Sequence, residues 1–238
     1  MKKMAVLING EFREFDIAIK SWKFINEIDC DVYVSTWDKT IQINKNLNIH
    51  IEEDITEDNI KKHFPNATVS ILKQSDYDFS FETSWHNAKQ IFHWKNSLRM
   101  MKESGIEYDV VMMTRSDNYI HCAFNSEDFF TMNEEKTLHG PLAIHVSGPD
   151  KQYFVLDYFF VGSVESISRM VETLPDRMDR NVHGELSRHI LSLDMFVKPL
   201  QEFRQTVVRP TLRWIENVNI DLVDKKFWEW GQNHVNWE

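Results

Sequence analysis

Three short runs of nearly unbroken apolar residues, MAVLI (4–8), CDVYV (30–34) and YDVVMM (108–113), each break off into a polar cluster, and segments of helical period lie between them. No other feature constrains the fold as tightly. A run of five or six apolar residues is too short for a buried helix and lacks the alternation of a half-exposed strand. It reads as a strand covered on both faces, the habit of parallel sheets.

The intervening segments supply the cover. Phe15, Ala18, Trp22 and Ile25 recur at helical spacing, and Ile91, Trp94, Leu98 and Met101 repeat it within a predicted helix over 86–103, stopped by Gly105. A short helix over 56–63 carries acids first and bases last, the order that suits its dipole, and Pro65 ends it. ATVSILK (67–73), 137–146 and 153–161 read as further strands. Ser163 caps a helix with Ile167, Met170, Val171 and Leu174 inward, and 183–193 forms another on Leu186, Ile190 and Leu193. VVRPTLRW (207–214) suggests a late strand interrupted by Pro210. Strand and helix in alternation predict an α/β fold with a mostly parallel sheet and helices on both faces.

Nothing resembles a linker or a repeat, so the expectation is one domain over 1–238. The formal net charge of −10 argues against a nucleic-acid partner, which needs a basic stripe to displace counterions. Cys30 and Cys122 make neither a disulfide framework nor a CxxC pair, which fits a reducing, cytoplasmic compartment. The apolar run Met4–Ile8 is shorter than a secretory core, and no stretch approaches the roughly 20 apolar residues of a membrane span. A peripheral membrane contact stays open.

Parallel strands bring their carboxyl ends to one edge, so the three polar clusters point to one site. They are Asn9, Gly10 and Arg13; Ser35, Thr36, Trp37 and Asp38; and Thr114, Arg115, Ser116 and Asp117. No GxGxxG fingerprint and no GxxxxGK[ST] loop occurs. Gly10 is a simple turn residue or a place where backbone approaches a nucleotide, with Arg13 on a phosphate. Arg115 and Asp117 are a solvated surface pair or part of a ligand site.

The turn G-x-x-R (Gly10 to Arg13), the strand DVYVSTWD (31–38), YDVVMMTRSD (108–117), DYFFVG (157–162) before a helix, and an acidic helix start at Glu185 stand in recognisable order. Together they resemble the GT-A glycosyltransferases of bacterial or viral polysaccharide synthesis, including the lipopolysaccharide group. The resemblance spans 4–38 and 108–193, and 39–85 adds nothing to it. It implies a Rossmann-like GT-A sheet and transfer of a sugar from a nucleoside-diphosphate donor to a hydroxyl of a glycan or lipid-linked acceptor. Asn9, Gly10, Arg13, Thr36, Trp37 and Asp38 would then line the nucleotide pocket.

Such enzymes usually bind Mn²⁺ or Mg²⁺ through an Asp-x-Asp motif, because hard cations bridge diphosphate oxygens. Here the motif reads Arg115-Ser116-Asp117. The resemblance implies Asp117 as metal ligand; the alternative is metal-independent binding with Arg115 neutralising the diphosphate. Glu185 is the implied general base; Asp157, with Phe159 and Phe160 as apolar support, would bind acceptor or donor hydroxyls beneath the reacting sugar and competes for the base role. The plainer readings are a capped carboxylate for Asp157 and a favourable first-turn charge for Glu185. His183 is a structural histidine, or a ligand to metal or phosphate; His139 and His145 fit strand positions. The tryptophans of KKFWEWGQNHVNWE (225–238) dock the tail onto the core or offer sugars a stacking platform. Two rivals remain: a sugar nucleotidyltransferase, for which INGEFREFD is a poor glycine-rich loop, and a non-catalytic carbohydrate-binding or scaffold protein.

Overall fold

The computed structural model describes residues 2–13, 15–44, 49–77, 85–120, 126–147, 150–157, 159–176, 178, 182–199 and 205–207. In chain order its elements are β1 (Met4–Asn9), α1 (Phe15–Ala18), β2 (Cys30–Trp37), β3 (Lys39–Asn44), β4 (Ile49–Asp54), α2 (Glu57–Lys61), β5 (Thr68–Leu72), α3 (Trp85–Glu103), β6 (Val110–Thr114) and β7 (Asn118–Ile120). They continue with β8 (Thr137–Gly140), β9 (Leu142–Ser147), β10 (Asp150–Val155), β11 (Phe159–Gly162), α4 (Val164–Glu172), α5 (Val182–Ser192), β12 (Phe196–Pro199) and β13 (Gln205–Val207).

Seven of these strands form the main sheet, in the order β12-β8-β11-β6-β1-β2-β5. β5, β2, β1 and β6 are mutually parallel, and β8 and β12 run the same way. β11 alone is reversed, antiparallel to both β6 and β8. The fold is thus α/β with a mostly parallel sheet, as the alternation of elements predicts.

The apolar runs are unbroken because each strand feeds two cores. Ala5 and Leu7 of β1 pack with Tyr33, Val111 and Met113 under Ile91, Trp94 and Leu98 of α3, together with Ile167 of α4 and Leu186 of α5. Met4, Val6 and Ile8 turn the other way, toward Val110, Met112, Phe15, Trp22 and Ile60 of α2. With a side-chain period of two, a strand covered on both faces must be apolar at every position. Each fully buried Leu, Ile or Met contributes about 1.5–3 kcal/mol.

Local signals also hold. Ser163 caps α4, its Oγ accepting the Ser166 N–H at 3.0 Å. Thr56 and Asn59 form a reciprocal capping box on α2.

Three periodic segments fold differently from their pattern. The helix expected through Phe15–Ile25 lasts only Phe15–Ala18 and gives way to 3-10 turns at Ile19–Ser21 and Lys23–Asn26. Between them Trp22 sits at φ −89°, ψ 49°, and its indole N–H donates to the Asn118 carbonyl at 2.7 Å. That tertiary bond overrides the period. The strand expected over 137–146 breaks at Pro141, which has no N–H for the ladder. β8 stays in the main sheet, whereas β9 forms a hairpin with β10. The strand expected over 153–161 divides at the Asp157 turn, after which β11 enters the main sheet. A hairpin of β3 and β4 fills a region with no strand expectation. Apart from Val207, VVRPTLRW lies outside the described residues, as do Cys122 and 225–238.

Candidate functional site

From β1 the chain builds outward through β2 to β5, then returns with β6 on the other side of β1. The gap between the carboxyl ends of β1 and β6 is therefore the switch point, where open α/β sheets bind ligands. Ile8 pairs with Thr114, so Asn9–Arg13 and Arg115–Asp117 leave the sheet side by side.

The two loops are tied together. Ser116 Oγ lies 2.9 Å from the Glu11 carbonyl and 3.2 Å from that of Arg13, and accepts the Arg13 N–H at 3.1 Å. The Phe12 N–H donates to Thr36 Oγ1 at 3.1 Å, which fastens the same loop to β2. Gly10 has φ +93°, and a Cβ there would meet no atom within 4 Å. Glycine is needed at that point for the backbone angle, and its outer side is open.

At the centre lies Asp117, whose side chain is 1% exposed. Arg13 Nε donates to its Oδ2 at 2.9 Å, Arg115 Nε to its Oδ1 at 2.9 Å, and Arg115 Nη2 to its Oδ2 at 2.7 Å. Arg13 Nη1 also reaches Glu11 at 2.7 Å. Burial alone would push the Asp117 carboxyl pKa up; the charges of Arg115 and Arg13 outweigh it and hold the group below the ordinary carboxylate value. For Arg115, burial works against the charge, but Asp117, then Asp157 and Glu11, overcome it and raise the pKa.

Among the described residues, Arg13 Nη2 and Arg115 Nη1 make no hydrogen bond within the protein, so the pair keeps donors for an incoming oxyanion. Asn9 Oδ1, buried at the end of β1, and Asn118 Oδ1, buried at the start of β7, likewise have no partner among the described residues. Buried polar atoms are ordinarily paired, so these two acceptors suit a polar ligand or a bridging water.

Trp37 and Asp38 serve as framework. Trp37 is 1% exposed and packs against Phe92, Tyr77 and His93, offering no open ring face. Asp38 Oδ1 accepts the Gln74 N–H at 3.1 Å. Beneath them Ser35 Oγ meets His93 Nδ1 at 2.7 Å and accepts from Asn96 at 2.9 Å. Burial, with a smaller effect of Lys89, pushes the His93 pKa down to about 3.

The reversal of β11 explains how Asp157 reaches this edge. Phe159 pairs with Thr114, so the residues just before β11 meet those just after β6. Gln90 of α3 donates to the Asp157 carbonyl at 2.9 Å. His183 Nδ1 lies 3.4 Å from Asp157 Oδ1. Glu185 sits one half-turn further along α5, with Arg188 at 4.0 Å. The sequence alone does not flag Glu11, Gln90 or the His183–Asp157 contact. Gln90 carries no motif signal at all, whereas Glu11 and His183 sit within stretches already marked.

The donor set does not fit a divalent ion. The first acidic position of Asp-x-Asp is Arg115, both Asp117 oxygens accept guanidinium N–H groups, and no three His, Cys, Asp or Glu side chains converge among the described residues. Hard cations want several oxygen ligands, and two fixed positive charges repel one here. A surface groove lined by Lys95, Arg99, Lys102, Glu103 and Glu172 flanks the second half of α3, away from the strand ends. No helix among the described residues is long and apolar enough to cross a membrane.

The class defined by fold and site is an α/β protein with a charged, braced crevice at the switch point of a mostly parallel sheet. No protein-family model and no curated protein matches the chain. Among solved structures, it is similar to the catalytic domain of Drosophila β1,4-galactosyltransferase 7, in complex with xylobiose, at 12% identity, covering 90% of this chain and 73% of that one with a TM-score of 0.42. It is also similar to a nucleoside-diphosphate-sugar pyrophosphorylase from Vibrio cholerae RC9, at 7% identity, covering 89% and 98% with a TM-score of 0.47.

Proposed function

We propose that the chain is a glycosyltransferase that moves a sugar from a nucleoside-diphosphate donor to a hydroxyl of a glycan or lipid-linked glycan. The observation that carries this reading is the pair of guanidiniums held on buried Asp117 at the switch crevice. A diphosphate leaving group builds negative charge as its bond to the sugar breaks, and donors fixed in advance stabilise that charge without reorganising. Arg13 and Arg115 supply such donors, Gly10 leaves the approach open, and the side-chain oxygens of Asn9 and Asn118 suit ribose or sugar hydroxyls. The motif order from Gly10 to Glu185 supports the same chemistry. In this reading the diphosphate is neutralised by arginine, and Asp117 fixes the two arginines. A cytoplasmic setting and a peripheral membrane contact at a lipid-linked acceptor belong to the same proposal.

The test is a thermal-shift series with UDP, GDP, CMP and dTDP, each in EDTA and in Mn²⁺, on wild type and Arg115→Gln. A ligand bound only by the folded state raises the melting temperature by mass action. One nucleotide is expected to raise it in EDTA, and Arg115→Gln to lose that shift. A shift that requires Mn²⁺ would reinstate Asp117 as a metal ligand. No shift from any nucleotide would refute the nucleotide-sugar site. Pyrophosphate release from a nucleoside triphosphate and a sugar phosphate would mark a nucleotidyltransferase instead.

A further inference from the structure

The contact between His183 and Asp157 is built from three sides. Ser187 Oγ, one turn after His183 on α5, donates to the His183 carbonyl at 2.6 Å and accepts the Val155 N–H at 2.9 Å. One hydroxyl thus ties the helix carrying the imidazole to the strand that ends two residues before Asp157. On the other side, Gln90 of α3 holds the Asp157 carbonyl at 2.9 Å. The carboxylate and the imidazole are therefore positioned by separate elements.

The ring is also oriented. His183 Nδ1 is buried and lies 3.4 Å from Asp157 Oδ1, while 30% of the side chain remains exposed. The contact is a close approach and not a formed hydrogen bond, and catalytic hydrogen bonds commonly tighten only once substrate is bound. A carboxylate against Nδ1 selects the tautomer protonated there and makes Nε2 the basic nitrogen. The Asp157 side chain is only 8% exposed, and His183 stands against it. Glu185 is displaced by two residues, about 200° around the helix from His183. Phe159 pairs with Thr114 next to Arg115, so this pair borders the guanidiniums on the β11 side.

We propose that His183 is the base that takes the proton from the acceptor hydroxyl, and that Asp157 is the residue that positions it. This rests on the transferase reading. Nε2 removes the hydroxyl proton as the acceptor oxygen bonds to the anomeric carbon of the donor. The bond from that carbon to the diphosphate oxygen breaks, and the nucleoside diphosphate leaves with the electron pair. A single displacement of this kind inverts the anomeric configuration. His183 is catalytic here, and Glu185 supplies a first-turn charge to α5.

The experiment follows nucleoside diphosphate release from UDP-glucose, UDP-galactose, GDP-mannose and dTDP-rhamnose with water as acceptor, in wild type, His183→Gln, His183→Ala and Asp157→Asn. Nucleotide-induced thermal shifts are read on the same samples. His183→Gln is expected to lower kcat by about 10²–10⁴-fold, the usual share of a general base, with the donor KM and the thermal shift unchanged. Imidazole in the buffer should restore part of the turnover of His183→Ala. Asp157→Asn should lower kcat at least tenfold, and nitrogen NMR of the His183 ring should show loss of the Nδ1-protonated tautomer. Wild-type kcat in His183→Gln, or retained configuration in the product, would overturn the base while leaving the transferase reading intact. Nucleotide binding with no turnover from any donor would also overturn it. Neither binding nor turnover in wild type would refute the transferase reading itself.

Discussion

Asp117→Asn removes the one negative charge on which Arg13 and Arg115 converge. Three charge-assisted hydrogen bonds of 2.7–2.9 Å end on this carboxylate. Asparagine keeps one acceptor oxygen but points an N–H₂ group at a guanidinium, so at least one bond is lost and one contact turns repulsive. Breaking a buried ion pair typically costs about 3–5 kcal/mol. The Arg13 and Arg115 side chains are 17% and 20% exposed, so water takes up part of the loss and the lower end applies. About 3 kcal/mol corresponds to a fall in Tm of about 6–12 °C for a chain of this size. Urea unfolding followed by tryptophan fluorescence measures it directly.

The pH profile adds a second signature. The folded-state pKa of Asp117 lies below its ordinary 3.8. Its stabilisation is therefore fully present above that value and is lost as the pH falls through the lower, folded pKa. Below about pH 4 the variant should lose less further stability than wild type. Combined with Arg13→Gln, the two losses should sum to less than their separate values. An Asp117→Asn protein within about 0.5 kcal/mol of wild type at pH 7, the scatter of ordinary surface substitutions, would refute the claim that this carboxylate organises the crevice.

Three further predictions concern the framework. His93 stays neutral down to about pH 3 because it is buried, whereas the unfolded chain takes up a proton near its ordinary 6.5. Stability is lost as the pH falls through that window, so between pH 6.5 and 5 wild type should lose about 1.6 kcal/mol more than His93→Gln in paired urea titrations. Gly140→Ala places a Cβ 2.9 Å from the Phe159 carbonyl oxygen, and the overpacking should cost about 1–3 kcal/mol by chemical denaturation. Tyr108→Phe removes the hydroxyl shared with Asp31 at 2.6 Å and Tyr33 at 2.7 Å. It should lower stability by about 1–2 kcal/mol, and Tyr33→Phe added to it should cost little more.

Much of the sheet was legible because burial on both faces leaves an unambiguous trace. MAVLI, CDVYV and DVVMM are apolar at odd and even positions alike, and each became a central strand. Their polar ends marked the crevice for the same reason, since parallel neighbours release their loops at one edge. What stayed hidden depends on long-range pairing. Arg13 and Asp117 are separated by 104 positions, so nothing local says that the arginine and the carboxylate neutralise each other. Trp22 has perfect helical spacing but is drawn out of the helix by a carbonyl 96 residues away. The reversed direction of β11 has no local signature either. Without it, Asp157 would stand at the opposite edge of the sheet from Arg115.

The placement of β1 carries a consequence for how the molecule is made. An interior strand of the sheet, β1 is made before its neighbours, and the backbone partner on its second side arrives late, as the bond from Lys3 to Asp109 across 106 positions records. At about 5–20 residues per second, one flank of β1 waits about 5–20 s for β6 to emerge. In that interval a strand that is apolar from Met4 to Ile8 presents an unsatisfied edge to any other nascent chain. Lys2 and Lys3 stand directly before it and set positive charge beside the bare ladder. Yield from the ribosome should accordingly depend on chaperone supply and on those two lysines more than the finished molecule's stability would suggest.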